Sequence, residues 1–501
     1  MSELLLFVRP PRPLWPFNGP GSAFWPPLAF ASLAAAVRTA LRDLDVRILD
    51  APALEMGWRS LEREIARLRP TWIGLGEEAV SCVEGLRLAA LARQVGARVI
   101  AGGCFFGNVA PEALRTGLID VVVHGEGEET LVELIAALRE GGAAALRQVR
   151  GISFLDGEEV VRTEPRELLR DLDRLPFPAY DLLPVERYGR TSRHHPALAA
   201  IEASRGCPHS CEFCVLWRQM GRFRDARPAP HLRVKSAERL REEVRVLRER
   251  FGRRYLGWVD PCFNADPDLP QRLAESLLRD GHPIGQSAWV RADCLVRDAA
   301  SGALETCVRA GLNEVYIGIE RLAAEDLRPL RKGSPDGAAV DALRILSERH
   351  PGVFTVGTFL YGLPDDTPAS LRALFLAATE LPLDLAFFIP LTPLPGTPYW
   401  RPELWDASGE SFRSFSFLPH VNGDPARARL TMALHRSAAL AWTPGRLKRI
   451  IRHLFAHDPR RRGIHRRQLA RLAPFVAQGL LGRAVGGRGS GGMRFPRWYA
   501  S

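Results

Sequence analysis

Three cysteines fall close together in the run Ser204-Arg205-Gly206-Cys207-Pro208-His209-Ser210-Cys211-Glu212-Phe213-Cys214. Their spacing is C-x3-C-x2-C. Three thiolates at that spacing on one loop can each hold an iron of a single iron–sulfur cube, a cluster that four cysteines usually hold. No fourth cysteine is near, since the next is Cys262. A cube with three protein ligands keeps one iron open, as a catalytic metal site keeps a position for substrate. A zinc site would show a second pair of cysteines or histidines downstream, and no second pair exists. A disulfide loop suits small secreted domains. His209 lies between two of the ligands and reads as a loop residue.

The elements that must present this loop alternate along the chain. Ala199–Ser204 reads as the strand that delivers it. Further strands end at Asp260, at Glu320 and at Gly362, with helical stretches over Ala237–Arg250, Pro270–Asp280 and Ala338–Arg349 between them. Repeats of this size predict a parallel, partial β/α barrel, with its chemistry at the carboxyl ends of the strands. A second alternating region precedes it. Leu4–Val8, Val46–Leu49, Trp72–Gly76, Arg98–Ala101 and Asp120–Val123 read as strands. Leu28–Leu44, Val83–Gln94 and Glu129–Arg139 read as helices. That order predicts a Rossmann-like parallel sheet with helices on both faces. Glycines stand where its strands end: Gly76, Gly102-Gly103 and Gly125-Glu126-Gly127. The expected fold class is α/β: a Rossmann-like domain over 1–145, a linker over 146–196, a barrel over 197–400 and a mostly helical domain over 401–501. The linker includes a hairpin across Asp156-Gly157.

Bulk properties narrow the class. The chain has 501 residues, 46% hydrophobic and 25% charged, as ordinary globular proteins do. No apolar run approaches a membrane span. The opening Met1–Val8 has no basic leader and reads as a buried strand. Eight cysteines, three of them clustered, fit a reducing compartment, and a cytoplasmic location is expected. The net charge of +11 is almost all arginine; Lys235, Lys332 and Lys448 are the only lysines. Basic runs such as Arg460-Arg461-Arg462 suit nucleic acid, anionic lipid or a solvated helical face. No aromatic–glycine RNA-binding pattern accompanies them, so no nucleic-acid partner is expected. Cys262, Cys294 and Cys307 read as packing residues.

The cysteine loop, with Phe213 before its third cysteine, resembles the radical SAM enzymes. That resemblance implies a 4Fe–4S cluster on Cys207, Cys211 and Cys214. Its open iron binds S-adenosylmethionine (SAM), which is cleaved reductively to methionine and a 5′-deoxyadenosyl radical. Pieces after the loop are similar to the same family: Gly257–Asn264, Trp289–Asp293, Ala310–Glu320, Arg331-Lys332-Gly333, Phe359–Thr367 and Pro393–Pro398. They imply SAM contacts at Asp260 and Glu320 for its hydroxyl or amino groups, at Arg291 for its carboxylate, and at Gly362. Two positions depart from the family pattern. Arg321 stands for a serine, and Asp365-Asp366 for Gly-Glu.

The first third resembles the cobalamin-binding domain that precedes many radical SAM enzymes. Trp25–Ala29, Gly102-Gly103 with Pro111-Glu112, and Asp120–Thr130 carry the likeness. It implies cobalamin against Gly76, Ser81, Gly102, Gly103, Gly125, Glu126 and Gly127. No histidine precedes His124, so the loop offers none to cobalt, and the lower face is expected empty, or held by water or a side chain near Ser81 or Cys104. The class implied includes C-methyltransferases and enzymes like anaerobic magnesium-protoporphyrin monomethyl ester cyclase. The expected reaction is C-methylation of an unactivated carbon in a small molecule or natural product, with flavodoxin or ferredoxin as electron donor. The alternatives are an oxidative cyclisation and a non-enzymatic cobalamin sensor. A methylthiotransferase is disfavoured, because the first half lacks that family's cluster cysteines. The tail, 401–501, has helical stretches over Arg427–Leu440 and Arg446–Phe455 and is expected to cover the barrel mouth or to support substrate specificity.

Overall fold

The computed structural model describes residues 3–12, 25–190, 192, 195–224, 227–281, 283–402 and 498–501. They divide into two compact units. The first holds the described residues up to Pro261, with 393–402 and 498–501; the second is Cys262–Thr392. The division falls inside the 197–400 span read from the sequence. The expected helices over 427–440 and 446–455 lie outside the described residues.

In the first unit, β1 (Leu4–Arg9), β2 (Asp45–Asp50), β3 (Trp72–Leu75), β4 (Arg98–Ala101) and β5 (Val121–Val123) are parallel. The hairpin β6 (Ile152–Asp156) and β7 (Glu159–Arg162) closes the edge antiparallel, giving the order β2-β1-β3-β4-β5-β6-β7. The hairpin assigned to the linker is thus part of this sheet. Its buried Ile152 and Phe154 cover the β5 edge, which would otherwise present unpaired backbone groups.

Both faces of the sheet are covered, as parallel sheets require. Leu4, Leu6 and Val8 of β1 pack on one side with Trp58, Leu61 and Ile65 of the helix Trp58–Leu68. Leu5 and Phe7 pack on the other side with Phe30 and Ala34 of the helix Leu28–Ala40. Alternate residues therefore serve opposite cores. Each fully buried Leu or Phe among them contributes roughly 1.5–3 kcal/mol. Gly74 is required by this packing, since a Cβ there would lie 2.6 Å from the Phe7 ring. The chain changes direction across the sheet between β1 and β3, and ligands of such sheets bind outside the carboxyl ends at that switch point.

Of the tail, residues 401–402 and 498–501 are described, and its expected place over the barrel mouth lies outside the described residues. The backbone oxygens of Tyr499 and Ser501 accept from Trp58 N–H at 3.1 Å and Ser60 N–H at 3.0 Å. They satisfy the otherwise orphan donors at the start of the helix Trp58–Leu68.

The same unit carries β8 (Leu198–Ile201), β9 (Ser204–Cys207), the hairpin β10 (Arg222–Arg224) and β11 (Arg227–Ala229), β12 (His231–Val234) and β13 (Tyr255–Trp258). β8 and β13 pair in parallel, whereas β9 and β12 pair antiparallel. The strand expected over Ala199–Ser204 is therefore two strands with a bend between them. Gly257 of β13 admits no side chain, because a Cβ would fall inside the Trp25 ring.

In the second unit, β14 (Gly285–Arg291), β15 (Leu312–Glu320), β16 (Phe354–Tyr361) and β17 (Leu385–Pro390) are parallel and in chain order. The helices Ala292–Ser301, Ala338–Arg349 and Pro368–Glu380 intervene. These are parallel strand–helix repeats of the kind expected from the sequence. Among the described residues, no helix is long and apolar enough to cross a membrane.

Candidate active site: a cysteine loop and a glycine-lined sheet edge

The cysteine loop starts where β9 ends. Cys207 is paired in register with His231, and Gly206 before it has φ +90°. A Cβ at Gly206 would overlap the His231 carbonyl, so the loop can leave the strand there only through glycine. Cys211 is buried and Cys214 is half-buried. Cys214 N–H donates to the Cys211 carbonyl at 3.2 Å. The Trp217 indole N–H donates to the same carbonyl at 2.8 Å. Phe213 is half-buried between the two cysteines. None of the eight cysteines is in a disulfide.

No three His, Cys, Asp or Glu side chains among the described residues converge as a single metal ion would need. A cube takes each thiolate on a separate iron, at a separate corner, and needs no such convergence. The donors fit that group: three soft thiols on one loop held by backbone contacts.

Asp260 supports the loop from below. It is buried, and its carboxylate accepts from Ala203 N–H at 3.1 Å, from Ser204 N–H, and from the Ser204 hydroxyl at 2.6 Å. Burial pushes this carboxyl up to about 6, and the hydrogen bonds from Ser204 and Ala203 act against that rise. A SAM contact was expected here. In the structure the carboxylate serves the bend between β8 and β9, where two adjacent backbone N–H groups leave the ladder and require an acceptor.

In the second unit, Glu320 ends β15 with φ +65°, a backbone region few non-glycine residues adopt. Its Oε1 accepts from Lys332 Nζ at 2.9 Å, and both side chains are buried. A Cβ at Gly318 would stand 2.7 Å from that Nζ, so the pair lies against the Gly318 backbone. Arg291 is committed to protein partners. It donates to both Asp293 oxygens at 3.0 and 2.9 Å and to the Lys332 carbonyl at 3.0 Å. The two departures from the family pattern meet: Arg321 donates to Asp366 at 2.6 and 2.7 Å. Asp366 also accepts from Gly362 N–H at 2.6 Å and Leu363 N–H at 2.9 Å. The larger basic residue thus has a buried acidic partner that also fixes the Gly362 turn.

At the edge of the first sheet, the carboxyl ends of β1 and β2 are closed by Arg9, Asp50 and Tyr188. Arg9 forks onto Asp50 at 2.8 and 2.7 Å, and the Tyr188 hydroxyl donates to Asp50 at 2.6 Å. The ends of β3 and β4 are lined with glycine backbone. A Cβ on Gly103, where φ is +82°, would stand 3.6 Å from the Gly76 carbonyl, and one on Gly102 would stand 3.6 Å from the Val123 carbonyl. A Cβ on Gly127 would press on Leu33 at 2.8 Å. Gly125 has φ +67° and open space where its Cβ would be. This glycine-lined edge fits the approach of a flat macrocycle along backbone.

Ser81 is buried, and its hydroxyl accepts from Arg12 at 2.9 Å. Cys104 is held protonated, pushed up to about 12 by burial, then by Glu78 and Cys214. Glu126, expected at cobalamin, makes ion pairs with Arg205 and Arg233. Its neighbour Gly125 offers backbone only.

Sequence reasoning gave His124 no role. Its Nδ1 lies 3.0 Å from the Gly107 carbonyl and its Nε2 2.8 Å from the Ser153 hydroxyl. The carbonyl can only accept, so Nδ1 carries the proton and Nε2 accepts. Both nitrogens are used inside the fold, tying β5 to the turn after Gly103–Phe106. Burial, then Arg162, pushes the imidazole down to about 4. A depressed histidine stabilises the fold above its unfolded value near 6.5, and that stabilisation is lost as pH falls toward 4. The advantage of the wild type over His124→Asn in urea unfolding should therefore shrink between pH 6.5 and 4, by up to about 3 kcal/mol. A constant difference across that window would refute the neutral-histidine assignment.

Comparison with known proteins places these two features. A model of the radical SAM superfamily matches residues 201–377, and a model of the B12 binding domain matches residues 21–135. An uncharacterised methyltransferase of Pyrococcus horikoshii is 29% identical over 379 residues, 75% of this chain and 78% of that protein. The anaerobic magnesium-protoporphyrin IX monomethyl ester cyclase of Cereibacter sphaeroides is 28% identical over 392 residues, 75% of this chain and 60% of the cyclase. The hopanoid C-3 methylase of Methylococcus capsulatus is 29% identical over 299 residues, 60% of this chain and 53% of the methylase. The chain thus spans less than two thirds of the length of the latter two.

Two solved structures share the fold. The radical S-adenosylmethionine methyltransferase TsrM from Kitasatospora setae aligns at a TM-score of 0.60 with 21% identity, over 79% of this chain and 75% of TsrM. The cobalamin-dependent S-adenosylmethionine radical enzyme OxsB aligns at 0.64 with 18% identity, over 96% of this chain and 72% of OxsB.

A cysteine loop of this kind behind a glycine-edged parallel sheet defines a two-cofactor protein. The chain carries a radical SAM domain over 201–377 and a B12-binding domain over 21–135, and the cofactors these domains imply are a 4Fe–4S cluster, SAM and cobalamin.

Proposed function

We propose that the chain methylates an unactivated carbon of a small-molecule or natural-product substrate. The observation that carries this reading is that one unit holds both the cysteine loop and the glycine-lined sheet edge. When bound, the cluster supplies an electron to SAM and cobalamin carries a methyl group; the protein positions both and excludes water. Cys207, Cys211 and Cys214 hold the cluster. Gly76, Gly102, Gly103, Gly125 and Gly127 admit cobalamin along backbone. Glu320, held by Lys332 on a strained strand end, is the SAM-facing carboxylate, and Gly362 forms the neighbouring turn. Flavodoxin or ferredoxin supplies the electrons. Relatives named as methyltransferases or a methylase support methyl transfer.

The likeness to a cyclase keeps ring-forming oxidation as the competing reading. The two differ in product mass. Reconstituted enzyme, extract of the producing cells and SAM carrying a trideuterated methyl group should yield a product heavier by one labelled methyl. A product that gains oxygen and loses hydrogen without label would favour the cyclase reading and remove this one.

A further inference from the structure

Arg205 stands two residues before Cys207, and its guanidinium is buried among carboxylates. It donates to Glu126 at 3.0 Å, to Glu128 at 2.6 Å and to both oxygens of Glu202 at 3.1 and 3.0 Å. Arg233 on the paired strand β12 donates to both oxygens of Glu126 at 2.9 and 2.8 Å and to the Leu169 carbonyl at 2.8 Å. Lys235 lies 3.7 Å from Glu202 and 3.5 Å from Glu243. Burial acts to raise the Glu126 carboxyl, but the Arg233 hydrogen bond and the charges of Arg205 and Arg233 keep it below the usual range.

Three cations and four carboxylates thus share one buried patch. Its position is informative. The Arg205 contacts join residues 77 and 79 apart in sequence. They connect the strand that ends in Cys207 to the turn Gly125–Glu128 at the carboxyl end of β5. Such networks are weak evidence for stability, since well-packed apolar groups of similar volume often do as well. What a guanidinium fork adds is orientation, because it meets two carboxylates in one geometry only.

We propose that Arg205 is a positioning residue, which sets the cysteine loop against the cobalamin edge so that SAM serves both cofactors from one place. This rests on the two-cofactor reading, which the cobalt and iron content of the wild type tests separately. The full chain would be reconstituted with cluster and hydroxocobalamin, and Arg205→Met compared with wild type. The first readout is the dipolar coupling between Co(II) and the reduced cluster. The second is the ratio of S-adenosylhomocysteine to 5′-deoxyadenosine formed from SAM.

With both cofactors retained, Arg205→Met should change the coupling and lower the ratio, by up to about 100-fold if the loop moves by roughly 1 Å. Arg205→Lys, which keeps the charge without the fork, should restore part of both. Glu128→Gln, a milder variant, should shift both in the same direction should Arg205→Met not fold. Unchanged coupling and ratio in a folded variant would overturn the proposal. So would parallel loss of both products in step with iron, which is the signature of cluster retention alone. Failure of both variants to fold would assign the network to folding and overturn it as well.

Discussion

Replacing Cys207, Cys211 and Cys214 together with alanine should leave a folded protein that holds almost no iron and forms no 5′-deoxyadenosine from SAM. The three thiols lie on one loop, and the next cysteine in the chain is Cys262, so nothing within the loop replaces them. The effect on folding should be small, because two of the three side chains are only half-buried and the loop is shaped by backbone contacts. Those contacts are the Gly206 turn, the Cys214-to-Cys211 hydrogen bond and the Trp217 indole on the Cys211 carbonyl. Wild type should bind about four irons per chain after anaerobic reconstitution. A triple variant that keeps that iron and cleaves SAM would show that the cluster is held elsewhere.

Asp260→Ala should be the costliest single change near the loop. It removes the acceptor for two buried backbone N–H groups and a hydroxyl at the β8–β9 bend. At about 1–3 kcal/mol for each buried donor left without a partner, the apoprotein should lose roughly 4 kcal/mol in urea unfolding. Cluster retention should fall as well, since the bend carries the strand that ends in Cys207. Asp260→Asn keeps one acceptor oxygen and should lose about half as much. The pH dependence has a defined sign. The folded carboxyl sits at about 6, above its ordinary value of 3.8. Its protonation therefore favours the fold, and that contribution is fully present below about 4 and lost as pH rises through about 6. An Asp260→Ala protein with wild-type stability and wild-type iron would mean that the bend is held by other contacts.

These residues show what the sequence makes legible. The helix expected over Ala338–Arg349 forms over those residues, and β15 ends at Glu320, where a strand was expected to end. Both are long and strongly patterned. The parallel strands of the first sheet were visible as short apolar runs, three of them followed closely by glycine, because buried strands carry apolar residues on both faces. The β8–β9 bend was not visible, since an apolar run does not mark where a strand changes partner.

Asp260 was correctly singled out as a strand-end carboxylate, but its partners are Ala203 and Ser204, more than fifty residues away. Glu126 was chosen for its place beside the glycines; the charges that capture it come from Arg205 and Arg233, distant in the chain. Arg321 and Asp366 were each recognisable as departures from a pattern. Only the fold shows that they form one pair. Long-range partners of this kind leave no local periodicity, so sequence reasoning found the groups without these partners.

The most direct test of the two-cofactor account is the fate of SAM on the reconstituted full chain under a low-potential reductant. The account predicts about one cobalt and four irons per chain retained after desalting. It also predicts S-adenosylhomocysteine formation that requires the cobalt and 5′-deoxyadenosine formation that requires the three cysteines. Loss of cobalt on desalting, with no S-adenosylhomocysteine from a protein that still cleaves SAM, would contradict it.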